Sequence, residues 1–316
     1  MQPGAFLFSP VHFSEFSREH RQPIFHQVEH SGASITLSRS FAMKTKPLNI
    51  QSLTWLSDIH LEFLRQRKID DFAKQVQAHP GKAVLITGDI ATGDLLQSVL
   101  GTLARNIDRP IVYCLGNHDF YNSSFEKVEQ AIAGAGQLFN NLIYLDGKSI
   151  IPLTEQTALI GINGWACGTG GIGRGTGIRL TDDTEILDFE CLPTDDDRFN
   201  LMFQLAKGYA ETLRPTLRDA LARFQNVIIG IHVPPFLEAA WHMGQISGPQ
   251  FLPLFSSPTM GRMLVEEASK YPETKLSVYC GHTHSPGIFE VNNIKVWTAG
   301  PIKYFFPRIE GLIEIE

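Results

Sequence analysis

The sequence predicts an α/β fold, a four-layer α/β/β/α sandwich in which two mixed β-sheets are flanked by helices. Two observations carry this expectation. Beyond about residue 50, short apolar runs alternate with longer amphipathic ones, as strands buried in a sheet alternate with the helices that cover it. Further strand-like runs then remain at 142–145, 158–162, 294–298 and 312–315, and these suggest a second sheet.

Taken in order, residues 53–57, 83–87, 111–115, 227–231 and 276–280 read as buried strands. Residues 69–79, 95–107 and 124–133 carry apolar side chains at three- and four-residue intervals, the spacing of a helix with one face on a core. The best helix is 200–224, which Pro215 should kink or divide. A Gly-rich stretch at 168–177 runs into an acidic one containing Asp182, Asp183, Glu185, Asp188, Glu190 and Asp195. Together they predict a long loop or small insertion at about 166–198, and loops of that length usually serve a site or stay disordered.

Residues 1–42 keep no helical or alternating period. They read as a disordered N-terminal extension, with the functional domain spanning 43–316 and starting near Met43.

Composition narrows the classes of function. At 316 residues, 43% hydrophobic and 19% charged, the chain has the make-up of a globular protein with a sizeable core. Its formal net charge of −6 argues against coating a polyanion, so nucleic acid is not an expected partner. Arg65, Arg67 and Lys68 form the densest basic cluster and read as a solvated helix face. No stretch reaches the ~18 apolar residues that a membrane span needs, and the N-terminus lacks a basic segment followed by an apolar one. Four cysteines without Cys-x-x-Cys spacing predict reduced thiols and a cytoplasmic location; Cys114 and Cys280 read as small buried hydrophobes.

The chemistry is concentrated in five segments: Asp58-Ile59-His60, Gly88-Asp89, Gly116-Asn117-His118-Asp119, His232, and Gly281-His282-Thr283-His284. Each lies at or just beyond the end of a predicted strand, where open α/β sheets bind ligands. In Asp58-Ile59-His60 the period of two places carboxylate and imidazole on one side of an extended strand end. Gly88-Asp89 alone would be an ordinary turn. The glycines suit a chain that must turn its next side chain towards an ion through φ values other residues resist. Asn117 offers a neutral oxygen ligand. His282 and His284, two apart after a strand, present two imidazoles to the same side. Of eleven histidines, His12, His20, His26 and His30 precede Met43, and only His79 and His242 of the rest fall outside these segments. His232 standing alone would read as a satisfied core histidine, and His242 as an incidental loop residue with a pocket-facing position as its alternative.

In this order, D-x-H, G-D, G-N-H-D, a lone H and G-H-x-H resemble the calcineurin-like metallophosphoesterase family, over about residues 53–300. The five-part pattern is far more specific than any component. The resemblance implies one metal held by Asp58, His60, Asp89 and His284, and a second held by Asp89, Asn117, His232 and His282, with Asp89 bridging. The ions would be two divalent or trivalent transition metals, Fe, Mn, Zn or Ni. His118 would be no ligand but would face the substrate. In such sites the ions lie about 3.5–4 Å apart and supply a bridging hydroxide for in-line attack on phosphorus. His118 is then placed to protonate the leaving group, with Asp119 its expected orienting partner. Asp119 stands where the motif often has Glu, a mark of subtype. The expected function is hydrolysis of a phosphomonoester or a small phosphodiester; the two remain equally placed.

Two rivals come from other classes. Gly168-Thr169-Gly170-Gly171-Ile172-Gly173 fits the dinucleotide fingerprint G-x-G-x-x-G. Yet the glycines continue through Arg174-Gly175-Thr176-Gly177, leaving no helix start to hold a pyrophosphate. A flexible loop whose Arg174 or Arg179 touches substrate, or which is simply solvated, suits that stretch better. The other rival is a non-catalytic scaffold; such proteins lose ligands, whereas every motif position here is filled.

Overall fold

The computed structural model describes residues 47–300 and 305–315. The expectation of disorder at 1–42 lies outside the described residues.

The first sheet grows from three βαβ steps. β1 (Ser52–Leu56) leads through α1 (Gln66–Ala78) to β2 (Ala83–Thr87), then α2 (Leu96–Asn106), β3 (Ile111–Cys114), α3 (Phe125–Leu138) and β4 (Leu142–Tyr144). These four strands are parallel and adjacent in that order. The second half supplies β5 (Ile151–Pro152), β6 (Thr157–Gly161), short helices α4 (Asp182–Glu185) and α5 (Leu187–Glu190), the long α6 (Asp195–Arg223), and β7 (Asn226–Gly230). A hairpin, β8 (Trp241–His242) and β9 (Gln245–Ile246), precedes α7 (Leu252–Phe255), α8 (Pro258–Ala268), β10 (Lys275–Cys280), β11 (Gly287–Val291), β12 (Ile294–Thr298) and β13 (Gly311–Glu314). The second sheet runs β11-β12-β10-β7-β6-β5, parallel at its centre with an antiparallel strand at each edge.

Strand periodicity sorts the side chains into layers. Leu53, Trp55, Leu85, Val112 and Cys114 of the first sheet meet Leu159, Ile228 and Tyr279 of the second in one buried layer. Trp55 packs edge-on to Tyr279 at 5.0 Å, and Tyr279 stacks on Trp297 at 4.8 Å. The intervening residues face outwards: Leu56, Val84, Ile86, Ile111 and Tyr113 pack beneath α1, α2 and α3, while Ala158, Ile160, Val227, Ile229 and Val278 pack beneath α6 and α8. The result is a four-layer α/β/β/α sandwich. Each fully buried Leu, Ile or Val contributes about 1.5–3 kcal/mol, so three apolar layers of this size hold the sheets in fixed register.

Several expectations are corrected. Of the four runs assigned to the second sheet, 142–145 and 312–315 belong instead to the first: β4 pairs with β3, and β13 runs antiparallel to β1. The predicted strands at 227–231 and 276–280 form the centre of the second sheet. The helix expected at 200–224 begins at Asp195, capped by the Thr194 side chain, and Pro215 does not divide it. Its length has a use, since Phe199, Met202 and Ala206 pack in the first core and Leu213, Leu217 and Leu221 in the second.

The region at 166–198 is an ordered insertion. Phe189 stacks on Trp165 at 5.7 Å, and Ile186 is fully buried. Its backbone is tied to the turn after β3, with Asn122 N–H donating to Glu185 O at 2.8 Å and Leu187 N–H to Ser123 O at 3.0 Å. Arg198 and Asp183 form a buried ion pair at 3.0 Å. Gly168–Gly173 opens no helix, only a short 3-10 turn at Gly173–Gly175, which removes the support for dinucleotide binding.

Candidate metal centre

Parallel pairing brings the carboxyl ends of β1, β2 and β3 to one edge of the first sheet, and β7 and β10 do the same in the second. Asp58, Asp89, Asn117, His232 and His282 follow those strands, so five loops converge at one place.

The local geometry differs from the extended strand ends the spacing suggests. Asp58, His60, Asp89, His282 and His284 all adopt left-handed backbone, with φ of 51°, 43°, 52°, 70° and 59°. Such conformations cost about 1–3 kcal/mol each for non-glycine residues, and they turn the side chains inwards. The glycines serve mainly another purpose. Gly88 has φ 88°, but Gly116 and Gly281 do not have positive φ. A Cβ on Gly281 would lie 2.1 Å from Asp58 Oδ2, and one on Gly116 would lie 2.1 Å from Asp89 Oδ1. They are small because the carboxylates occupy their side-chain space.

Two groups of ligand atoms result. Asp58, His60, Asp89 and His284 each offer one atom, all within 4.8 Å of one another. His60 Nε2 lies 3.7 Å from Asp89 Oδ2, and His284 Nε2 lies 3.5 Å from Asp58 Oδ1. Beside them, His232 Nε2 is 3.4 Å from Asp89 Oδ1 and 3.2 Å from Asn117 Oδ1, which is 2.9 Å from His282 Nδ1. Asp89 therefore turns one oxygen to each group. Ligands bonded to an ion at about 2.0–2.2 Å stand roughly 3–3.5 Å apart, so most of these spacings suit a cation among the side chains.

The outer ring atoms are held by neighbouring groups, so that the inner ones face the cluster. His232 Nδ1 donates to Thr87 O at 2.9 Å, and His282 Nε2 donates to Leu254 O at 3.0 Å. These bonds fix the tautomers and aim Nε2 and Nδ1, respectively, at the second group. His60 Nδ1 lies 3.1 Å from Glu62 Oε1. Asp89 Oδ2 is buried without a hydrogen-bond partner, a costly state for a carboxylate that a cation relieves. The residues present thus fit two metal ions.

Electrostatics points the same way. Burial opposes charge on His232, yet the Asp89 carboxylate pushes it up to about 10. His118 rises to about 9 despite its burial, through Asp89 and Glu62. Burial would raise Asp58, but the His284 hydrogen bond and the His232 charge bring it down to about 2. Burial and the neighbouring His232 push His282 down to about 4. The carboxylates of the site draw protons onto His118 and His232, as they would draw cations.

A cavity of about 160 Å³ opens over the second group, lined by His118, Tyr121, Leu180, Asp182, His242 and Phe255 among others. A larger groove, about 350 Å³, lies beside Phe236 and Val265 and contains none of these ligands.

Residues 52–286 match the sequence pattern of the calcineurin-like phosphoesterase family. The chain belongs to that family. Among solved structures, it is similar to a phosphopantetheinyl hydrolase from Mycobacterium tuberculosis, at 12% identity and TM-score 0.57, over 80% of this chain and 90% of that one. It is also similar to a dimetal phosphatase from Danio rerio, at 14% identity and TM-score 0.50, over 80% and 88%. At these identities the likeness speaks for the fold. No curated protein matches the sequence.

Within this family member, the structure brings together all seven expected ligands, with His118 beside them. Its ring stacks on Tyr121 at 4.2 Å and stands edge-on to His60 at 4.4 Å. Asp119 is not its orienting partner. One Asp119 oxygen accepts from Ile90 and Ala91 N–H at 2.8 and 3.0 Å, and the other from Gly116 N–H at 2.8 Å, so the carboxylate ties two loops together. Glu62 takes the expected place, its Oε1 lying 3.6 Å from His118 Nδ1. Sequence reasoning missed Glu62, although it continues the period-two pattern of Asp58 and His60. Asp182 and Tyr121 were missed as site residues too, and only the acidity of the insertion hinted at the first. Arg174 and Arg179 do not reach the cavity lining; they pair with Asp196 and Asp195. His242 does line it, with Nδ1 3.1 Å from Thr283 O.

Proposed function

We propose that this chain hydrolyses phosphate esters at a two-metal centre, with Asp58, His60, Asp89 and His284 holding one ion and Asp89, Asn117, His232 and His282 the other. Asp89 carries this reading, because its two oxygens face the two groups separately. The fit extends to Fe, Mn, Zn or Ni, since carboxylate and imidazole ligands suit them all. Bound ions of this kind lower the pKa of a coordinated water and clamp phosphoryl oxygens for in-line displacement.

The protein's own side chains supply the rest. His118 donates a proton to the departing ester oxygen, a contribution worth about 10²–10⁴-fold. Glu62 sits against His118 Nδ1, which leaves Nε2 for the cavity. Tyr121 fixes the ring plane by stacking.

The substrate follows from the lining. Among the described residues, the cavity wall contains no Lys or Arg, and it contains the Asp182 carboxylate. Such a wall suits a single phosphoryl group with an uncharged leaving group, as a phosphomonoester or a small phosphodiester, and disfavours polyphosphates and nucleic acid. The four cysteines are free, which suits a reducing compartment such as the cytoplasm. Among the described residues, no helix is long and apolar enough to cross a membrane.

Purified protein with metals quantified, assayed on nitrophenyl phosphate, its bis-ester and a nucleotide panel, tests the reading. Turnover of one of the two nitrophenyl esters that disappears with chelation is expected, with nucleoside triphosphates poor substrates. Loaded protein inert towards every phosphate ester would overturn it.

A further inference from the structure

The insertion reaches the metal centre through one side chain. Asp182 opens α4, and its Oδ1 accepts from Asn117 Nδ2 at 2.7 Å and from the Tyr121 hydroxyl at 2.5 Å. The Tyr121 oxygen in turn accepts from Asn117 Nδ2 at 3.2 Å. On its other side, the Asn117 carbonyl oxygen meets His282 Nδ1 and His232 Nε2 at 2.9 and 3.2 Å.

We propose that Asp182, carried in by the insertion, is a positioning residue for the second metal ion: it fixes the Asn117 amide so that the carbonyl oxygen, not the NH₂, faces that ion. The inference rests on the two-ion reading above. An amide can sit in either of two flipped orientations of nearly equal shape. A carboxylate can only accept, so Nδ2 must turn to Asp182 and Oδ1 must turn inwards. Without that acceptor, the flipped amide would place two N–H groups against the cation position and remove the neutral oxygen ligand.

The insertion is built to hold Asp182 still. Asp183, its neighbour, is locked to Arg198 in the buried pair, and the backbone at Glu185 and Leu187 is bonded to Asn122 and Ser123, close to Tyr121. Partners of metal ligands typically change metal affinity by about 10–100-fold when removed. The second ion would therefore depend on the insertion more than the first, because the Asn117 amide that Asp182 holds faces His232 and His282 of the second group.

Full-length protein stripped by chelation and titrated with Mn²⁺, with bound metal counted by elemental analysis and the metal-free melting temperature as a folding control, tests this. Wild type is expected to take up two ions. Asp182→Ala is expected to keep the first and bind the second about 10–100-fold more weakly. Asp182→Asn, which can still present a carbonyl oxygen to the amide, is expected to recover most of that loss. If Asp182→Ala does not fold, Tyr121→Phe removes the second acceptor of the same amide and should weaken the second ion several-fold. Unchanged second-ion affinity in a folded Asp182→Ala, or in Tyr121→Phe where that variant carries the test, overturns the inference alone. So does equal weakening in Asp182→Ala and Asp182→Asn, which would assign the effect to charge. A wild type that takes up only one ion removes the two-ion reading and this inference with it.

Discussion

Asp119 and Glu62 show how two carboxylates near one histidine divide their work. Asp119 is fully buried and accepts three backbone N–H bonds, so its effect on the site passes through the loops it joins. Glu62 touches the rings of His60 and His118 directly. Glu62→Gln is therefore expected to lower kcat while leaving the fold intact. His118→Asn should slow alkyl phosphates by about 10²–10⁴-fold and nitrophenyl esters much less, since nitrophenolate needs no proton to leave. Parallel kinetics on both ester types checks this; equal losses would contradict proton donation by His118. The ligands were legible because a strand end followed by Asp, His or Asn recurs five times. Glu62 is not legible in this role, and Asp119, the sequence neighbour of His118, reads as the partner in its place, since sequence proximity to His118 is no guide to where a carboxylate points. The left-handed backbone at Asp58 and His60 was hidden for the same reason: close approach of Gly281 and Asp58 involves residues more than two hundred positions apart in the chain.

At the level of elements, α6 and the insertion before it decide whether the site is complete. Arg198 in the first turns of α6 is buried against Asp183 and also lies over the Phe199 ring at 4.5 Å. Removing one partner of a buried pair leaves an uncompensated charge and costs about 3–5 kcal/mol. Arg198→Ala should therefore release the insertion, and the expected signs are a lowered melting temperature and early proteolytic cutting between residues 166 and 198. An unchanged melting temperature with the same resistance to protease would contradict the role given to the pair. Composition predicts a long loop or small insertion here, because glycines and acidic residues with no basic one among them carry no helical or strand period. Its order comes from partners elsewhere: Trp165 under Phe189, and the turn at Asn122 and Ser123 beneath α4 and α5.

Across the described residues, two sheets meet face to face and the loops of both converge on one cluster of candidate metal ligands. The strand runs and the helices α1, α2 and α3 were legible from periodicity, which is a local property. Sheet membership was not, since β4 and β13 differ from β6 and β12 only in the partner each finds. The described elements that form the site all lie after residue 50, and a chain beginning at Met43 is expected to keep the metal content, melting temperature and activity of the full one. Loss of any of the three on deleting residues 2–42 would show that those residues belong to the functional protein.

Metal content after substituting the shared ligand decides whether the two groups form one centre. Wild-type protein loaded with Mn²⁺ and desalted should retain two ions per chain by elemental analysis, and Asp89→Asn, whose amide offers one oxygen and no charge, should retain fewer than one. Two ions held by Asp89→Asn, or none held by the wild type, would contradict a bridged pair.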